Sequence, residues 1–358
     1  MARAKPDVVA SIRTYDAWLR GQLPVVAADL RLKHARIAAD AFSFLRGTFF
    51  RWVEICPTLC PELCAGPAVL AVGDLHVENF GTWRDAEARL VWGINDVDEA
   101  ATMPFALDLC RLAASALLAE RHLALDAETV CAAILAGYRA GLEAPRPFVL
   151  EEAAGPLRAM ALSADREPDA FWAKLAAERK AKPSPEARLL LRGALPAGAV
   201  PERWVARVSG IGSLGRPRFA LLGIAGGRRI AREVKAMVPS AFDRKGRAGA
   251  APERLLTQAV RAPDPFHGFA DGWQIRRLAP HCSRIELAML PKKRDEDLLL
   301  TAMGFETANF HAGSRDAVAA IRRDLKRRSK RWLFDAATRL AEATRADWKA
   351  YRRASRAA

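Results

Sequence analysis

A glycine-rich loop with strands on both sides limits the folds open to this chain more than any other feature. In WVARVSGIGSLGRPRFALLGIAGGRRIAREVKAM, residues 204–237, β-branched and aromatic residues flank Gly210, Gly212 and Gly215, and Gly226-Gly227 marks a second turn. The pattern predicts three short strands in an antiparallel meander. Glycines at G-x-G-x-x-G spacing, with Ser213 among them, let backbone N–H groups approach phosphates closely. A dinucleotide-binding fold would need a helix after such a loop, and RPRFALLGIA reads instead as strand. GWQIRRL offers a further strand, so a small sheet opens the second part of the chain.

Elsewhere the texture is mostly helical. Residues 8 to 55 carry short apolar repeats, and a Pro/Cys-rich break follows. Two strand-like runs come next, Ala68 to His76 and Ala88 to Asp96, with the polar NFGTWRDAE between them as a loop or hairpin. Helical pattern returns from Phe105 to Ala144, where Asp126 is a fair N-cap. Residues 145 to 200 read as helix broken by prolines, RGALPAGAVPE as a linker, and Asp295 onward as helix again. The expected class is α+β, in four parts: residues 1–72, an N-terminal helical segment; 73–199, helical; 200–290, a small β lobe; and 291–358, C-terminal helices returning to the helical lobe.

Composition excludes more than it selects. At 358 residues the chain can bury one large core or two lobes, and 27% charged residues is ordinary. No run of about 18 uncharged apolar residues exists to span a membrane. MARAKPDVVASIRTYD lacks a signal-peptide core, which makes the cytoplasm the expected compartment. Cys56, Cys60 and Cys64 are spaced evenly, but Pro57 and Pro61 forbid a regular helix through them, and no His or fourth Cys completes a zinc set. The net charge of +15 raises nucleic acid as a partner, yet the excess is spread widely. Its one dense run, Ile321 to Trp332, reads first as a solvated helix face and second as a landing surface for an anionic partner.

The chemistry concentrates in GDLHVENFG and INDVDEA. Asp74 follows an apolar run that should end a strand, and Asn79 lies five positions later in a turn. A carboxylate there can accept a proton from an attacking hydroxyl, and a carboxamide oxygen is a hard ligand for magnesium. Asp96 and Asp98 close the second strand and can add an oxygen donor to the same metal; magnesium needs only one or two carboxylates when phosphates and water fill its other positions.

The order Asp-x4-Asn, hairpin, Asp resembles the catalytic and metal loops of protein kinases and aminoglycoside phosphotransferases. More narrowly, FSFLRG, GDLHVENFG, NDVDEA, GIGSLG and the Lys235 strand are similar to the bacterial family known as domain of unknown function 2252, a likeness spanning most of the chain. The kinase-like resemblance implies a two-lobed fold with a mostly helical large lobe and a small antiparallel-sheet lobe. It implies ATP and Mg2+ as cofactors, Asp74 as the catalytic base, and Asn79, Asp96 and Asp98 as metal ligands. Gly210, Gly212, Ser213, Gly215 and Lys235 would then bind the nucleotide. In ordinary kinases the glycine loop and lysine precede the catalytic loop, whereas here they follow it. A circular permutation accounts for this, with LLLTAMGFETANFHAGS as the helix that would normally lead into the catalytic loop.

Around these residues, Asp108 in FALDLCRL is expected to cap its helix and brace the loop, and a buried Arg46 to brace the metal loop. His76 would bond the loop backbone, and His311 would pack in its helix. Kinases pair the lysine with a helical glutamate; Glu253 and Gln258 on the following helix are the candidates. Three functions fit: phosphoryl transfer to a hydroxyl of a small molecule or protein, nucleotidyl transfer from the same site, or a non-catalytic nucleotide-binding module. A basic surface points to an anionic acceptor and no further.

Overall fold

A computed structural model of the chain describes residues 7–119, 123, 125–150, 157–158, 167–282, 284–285 and 296–357. The N-terminal third opens on short helices, each with a local cause. In α1 (Val8–Gln22) the carboxylate of Asp7 accepts from Val9 N and Ala10 N, and Val8, Ile12, Tyr15 and Leu19 form the buried stripe. In α2 (Ala27–Ala39) the stripe is Leu30, Lys33 and Ile37, a face with a lysine in its middle. Asp40 caps α3 (Ala41–Gly47) through Ser43 N at 2.7 Å. Pro57 is accommodated inside α4 (Phe49–Leu59), and the break falls at Cys60, before α5 (Pro61–Cys64). Cys56 and Cys60 are buried and Cys64 is exposed.

Two small antiparallel units follow. The strand β1 (Ala68–Ala71) is shorter than the run to His76 suggests, because the chain turns at Val72. Its partner is a strand with no sequence signal, β4 (Ala101–Pro104). Between them β2 (Phe80–Arg84) and β3 (Leu90–Ile94) form the hairpin, closed by Asp85, whose carboxylate accepts from Glu87 N and Arg89 N. The loop 72–79 and the loop 95–100 thus leave neighbouring strand ends, and Asn95 N donates to Asn79 O at 2.8 Å.

The helices α6 (Phe105–Leu118) and α7 (Ala127–Glu143) pack beneath these loops, with Asp126 capping α7 as expected. A two-residue β5 (Phe148–Val149) joins β3, and two Pro-initiated helices, α8 (Pro168–Ala177) and α9 (Pro185–Gly193), lead into the sheet. That sheet is fully antiparallel, in the order β6 (Val200–Ala206), β7 (Arg218–Ala225), β8 (Arg228–Ala236), β10 (Trp273–Leu278), β9 (Gly268–Ala270), with α10 (Ala250–Gln258) between β8 and β9. Gly226 and Gly227 both have positive φ, as the tight β7–β8 hairpin requires. Strand alternation divides the faces. Leu221, Val234 and Ile275 pack on Ala187 and Leu191 of α9, while Val205, Ala220, Leu222 and Ala231 pack on Trp172 and Leu175 of α8. Farther along the α8 face the apolar residues give way to Arg218, Glu233 and Lys235.

The C-terminal helices α11 (Glu296–Ala312), α12 (Arg315–Arg327) and α13 (Trp332–Ala357) return to the helical core. In α12 only Ile321 and Leu325 are buried, and Arg322, Arg323, Lys326 and Arg327 face outward, the solvated-face arrangement. The architecture is therefore mixed α+β with antiparallel sheets. Among the described residues no helix is long and apolar enough to cross a membrane.

Candidate active site

The loop that carries Asp74 is held from beneath by α6. Asp108 is fully buried and accepts from Val72 N and Gly73 N, both at 2.8 Å. It braces the loop as expected but does not cap its helix, whose N-cap position is Pro104. One turn and two turns along the same face, Arg111 and Ser115 add to the brace: Ser115 Oγ accepts from Val77 N at 3.0 Å. His311 does more than pack in its helix. Its Nε2 lies 3.1 Å from Asp108 Oδ2 and its Nδ1 2.8 Å from Tyr138 Oη, so α7 and α11 both fix the brace. Gly73 sits at φ +85°, where a Cβ would come within 2.2 Å of Glu99 O.

Arg111 is the largest feature the sequence left unannounced. It is 1% exposed, packs over the rings of Phe49 and Trp52, and directs Nε (2.8 Å) and Nη2 to Asp74 Oδ1. Its third contact is Leu45 O at 2.8 Å. Burial pushes the Asp74 carboxyl up to about 7; Arg111 pulls it down, while Glu99 and Asp96 push it further up. His76 makes no loop-backbone bond through its ring: Nδ1 has no partner among the described residues. Burial, then Arg46 and Arg111, keep that ring neutral. Arg46 is buried as expected, and its Nη1 meets Glu78 at 2.6 Å, in the loop that carries Asp74 and Asn79.

Across from Asp74, Asn79 donates from Nδ2 to Asp74 O (2.9 Å) and Asp96 O (3.1 Å). The amide nitrogen is thereby committed to two loops, and Oδ1 is its remaining ligand atom. Asp96 is 44% exposed. Burial works to raise its carboxyl, but Lys235, a hydrogen bond with Asp98, Arg276 and Arg218 outweigh it and hold it well below the usual range. Asp98 shifts the other way, raised by burial and by Asp96. Its two oxygens face cations: Lys235 Nζ at 2.5 Å on Oδ1 and Arg216 Nη1 at 3.4 Å on Oδ2. Arg216 also reaches Glu99 at 3.3 Å, whose other oxygen accepts from Ala241 N.

Lys235 is fully buried and lies 3.9 Å from Asp96, so the lysine of the sheet and the acids of the first half of the chain meet directly. Its partner is Asp98. Glu253 and Gln258 are exposed on α10 and do not fill that role. The turn from Ile211 to Gly215 places Gly210 and Gly215 at positive φ, and Ser213 Oγ accepts from Arg218 at 2.7 Å. A Cβ at Gly212 would lie 3.5 Å from Asp74 Oδ2, so the loop reaches van der Waals range of the acid at this point.

Two spaces result. A small cavity of about 20 Å³ is walled by Asp74, Asn79, Asp96, Asp98, Glu99, Gly212, Ser213 and Arg216. Beside it runs a cleft of about 210 Å³, whose lining includes Asn79, Asp96, Lys235, Arg207, Arg218, Arg276 and Arg284 together with the apolar Phe171, Leu175 and Leu278. The expected magnesium set fits this geometry in part. Among the described residues no three His, Cys, Asp or Glu side chains converge as a metal site. Magnesium needs fewer, and Asn79 Oδ1 with the ionised, half-exposed Asp96 suits it. Asp98, committed to Lys235 and Arg216, stands behind that pair.

A family model described as "Uncharacterized protein conserved in bacteria (DUF2252)" matches residues 25–182 and 202–354. The matched segments contain each residue placed around the two cavities. No curated protein and no solved structure matches the chain.

Proposed function

The chain belongs to the bacterial DUF2252 family, and from that premise we propose that it is an ATP- and magnesium-dependent phosphotransferase of the kinase-like class. The observation that carries the reading is the meeting of Lys235 with Asp98 and Asp96, at 2.5 and 3.9 Å, beside Asn79 and the glycine-rich loop. Residues far apart in the chain supply one cleft with the oxygen ligands, cations and backbone donors that phosphoryl transfer uses.

In this reading Asp74 Oδ1 is held by Arg111, and Oδ2 is left to take the proton of the acceptor hydroxyl. Asn79 Oδ1 and Asp96 would hold magnesium, which would supply positive charge to offset that of the phosphates. Lys235, Arg218 and Arg276 of the cleft lining take the phosphates, and Phe171, Leu175 and Leu278 of the same lining give the nucleotide base apolar contact. Electrostatics and positioning supply most of the rate enhancement. The kinase-like, circularly permuted fold belongs to the same proposal. It is supported by α11, whose His311 touches Asp108 and whose Glu306 accepts from Ile94 N at 3.2 Å, as a helix leading into the catalytic loop would.

Calorimetric titration with magnesium-ATP tests the proposal. Wild-type protein is expected to bind saturably and only with magnesium, and Asp96→Ala and Lys235→Ala to weaken binding about tenfold or more, the loss of one charge-assisted contact. Absence of binding by folded wild type at millimolar nucleotide sinks the reading. With binding established, α- and γ-labelled ATP separate nucleotidyl from phosphoryl transfer by which label reaches the product.

A further inference from the structure

The N-terminal helices, to which the proposed reaction assigns no part, grip the glycine-rich loop from behind. Val26 N donates to Gly215 O at 2.8 Å, and Gly215 rests against Leu30 and Val25. Lys33, on the buried stripe of α2, is 3% exposed, and its Nζ donates to Gly212 O at 3.1 Å. It forms no ion pair among the described residues. The acids nearest in influence, Asp16, Glu99 and Asp74, are engaged by His34, Arg216 and Arg111 respectively. A buried ammonium without a carboxylate is costly; the Tyr15 ring, 5.2 Å from Nζ, offsets part of that cost, and Gly212 O is its hydrogen-bond acceptor.

The peptide that follows Gly212 takes its orientation from this contact. In a trans peptide the C=O and the next N–H point in opposite directions. An ammonium holding Gly212 O toward α2 therefore turns Ser213 N–H away from α2, and Gly212 and Ser213 are among the residues that wall the cavity with Asp74, Asn79 and Asp96. Ser213 N–H has no hydrogen-bond acceptor among the described residues. Gly212 is close to the acid: a Cβ there would lie 3.5 Å from Asp74 Oδ2.

We propose that Lys33 is a positioning residue of the nucleotide site: by holding Gly212 O it presents Ser213 N–H to a phosphate oxygen of the bound polyphosphate. The proposal rests on the phosphotransferase reading for its ligand. It makes α2 a working part of the site, and the charge on Lys33 adds a favourable field behind the donor. The group recognised is a phosphate oxygen in the small cavity beside Asp74.

Lys33→Met keeps the length and apolar stem of the side chain and removes the donor; Lys33→Arg restores a cationic donor. Calorimetry with magnesium-ATP, on variants whose thermal unfolding midpoints stay close to wild type, is expected to show at least tenfold weaker binding for Lys33→Met. Lys33→Arg is expected to recover to within about threefold of wild type. Lys33→Met binding as wild type overturns the proposal, and so does Lys33→Arg binding as weakly as Lys33→Met in folded protein. Failure of wild type to bind magnesium-ATP is a failure of the phosphotransferase reading. Lys33 is then judged without nucleotide, by amide hydrogen exchange over residues 209–216. Exchange at least tenfold faster in Lys33→Met supports the grip on the loop, and unchanged exchange overturns it.

Discussion

At the scale of single residues, the site turns on how one carboxyl is kept both buried and usable. Burial raises Asp74 to about 7 although Arg111 lies on one of its oxygens. In the proposed phosphotransferase reading Asp74 works as a general base in its ionised form, so magnesium-ATP hydrolysis, the reaction with water as acceptor, is expected to rise with pH through about 7. Folding stability runs the opposite way. A carboxyl whose folded pKa lies above its unfolded value contributes stability that is full below about 4 and is lost as pH climbs through about 7. Asp74→Asn is expected to bind magnesium-ATP within about threefold of wild type and to lose hydrolysis by a factor of about 100 or more. Equal loss of binding and hydrolysis would assign Asp74 to the nucleotide and not to the acceptor. Asp74 and Asn79, five residues apart in one loop, and Asp96, in the next, were legible in the sequence because each loop follows a short apolar strand. Arg111, Arg216 and Lys33 were not. Arg111 lies in a mostly apolar helix and Arg216 and Lys33 among other basic residues, and the purpose of each depends on a partner brought close only by the fold. Arg111 left one usable trace, lying three residues after Asp108 on the same helical face.

At the scale of elements, the helices beneath the site are set by glycines that allow backbones to touch. In α7, a Cβ at Gly137 would fall 1.8 Å from Thr301 O of α11, and at Gly304 of α11 one would fall 2.1 Å from Ile134 O. This contact carries Tyr138 and His311 to Asp108, so spreading the helices would loosen the brace of the Asp74 loop. Gly137→Ala must move a helix backbone and is expected to cost about 3 kcal/mol, the upper end for overpacking. Gly21→Ala, in α1 with nothing within 4 Å of the added methyl, is expected to stabilise by about 0.5–1 kcal/mol. Denaturant unfolding of the two variants checks both signs, and a neutral Gly137→Ala would show that the helix contact adjusts without cost. The helices were legible from apolar period and caps, as Asp126 at α7 illustrates. Short strands were harder: β4 is four residues ending in proline, too brief for any alternation to register. The expected strand to His76 stopped at Ala71, because Asp108 captures the N–H groups of Val72 and Gly73 that a ladder would have used.

At the scale of the whole molecule, order in the chain and order in space disagree, and the disagreement is testable. Composition marked a boundary near residue 200, and the sheet does begin at Val200. Pattern alone did not establish that the loop after β6 would lie on α2 and that Lys235 would meet Asp98, since contacts between distant segments leave no local period. If the fold is a permuted kinase-like one, the chain should tolerate being opened where the glycine-loop sheet begins. The turn before β6 is suitable: Pro196, Ala197 and Gly198 are exposed, and a methyl added at Gly198 would meet nothing within 4 Å. The described segments nearest the two ends are close enough to link. Arg51 donates both to Ser11 at 3.0 Å and to Asp347 at 2.7 Å, which ties the start of α1 to α13. From Asp347 the helix runs about 15 Å to its end, and a Gly/Ser linker of about a dozen residues spans on the order of 20 Å. A permutant beginning at Gly198 and ending at Ala197 puts the glycine loop and Lys235 ahead of Asp74, Asn79 and Asp96. It breaks no element and removes none of the contacts around the cleft. Its thermal midpoint is expected within roughly 5 °C of the parent, and its magnesium-ATP affinity within about threefold. A permutant that folds but loses the nucleotide would mean that the connection through residues 194–199 itself holds the two parts in register. One that does not fold would mean that the β lobe depends on α8 and α9 entering it in the native order.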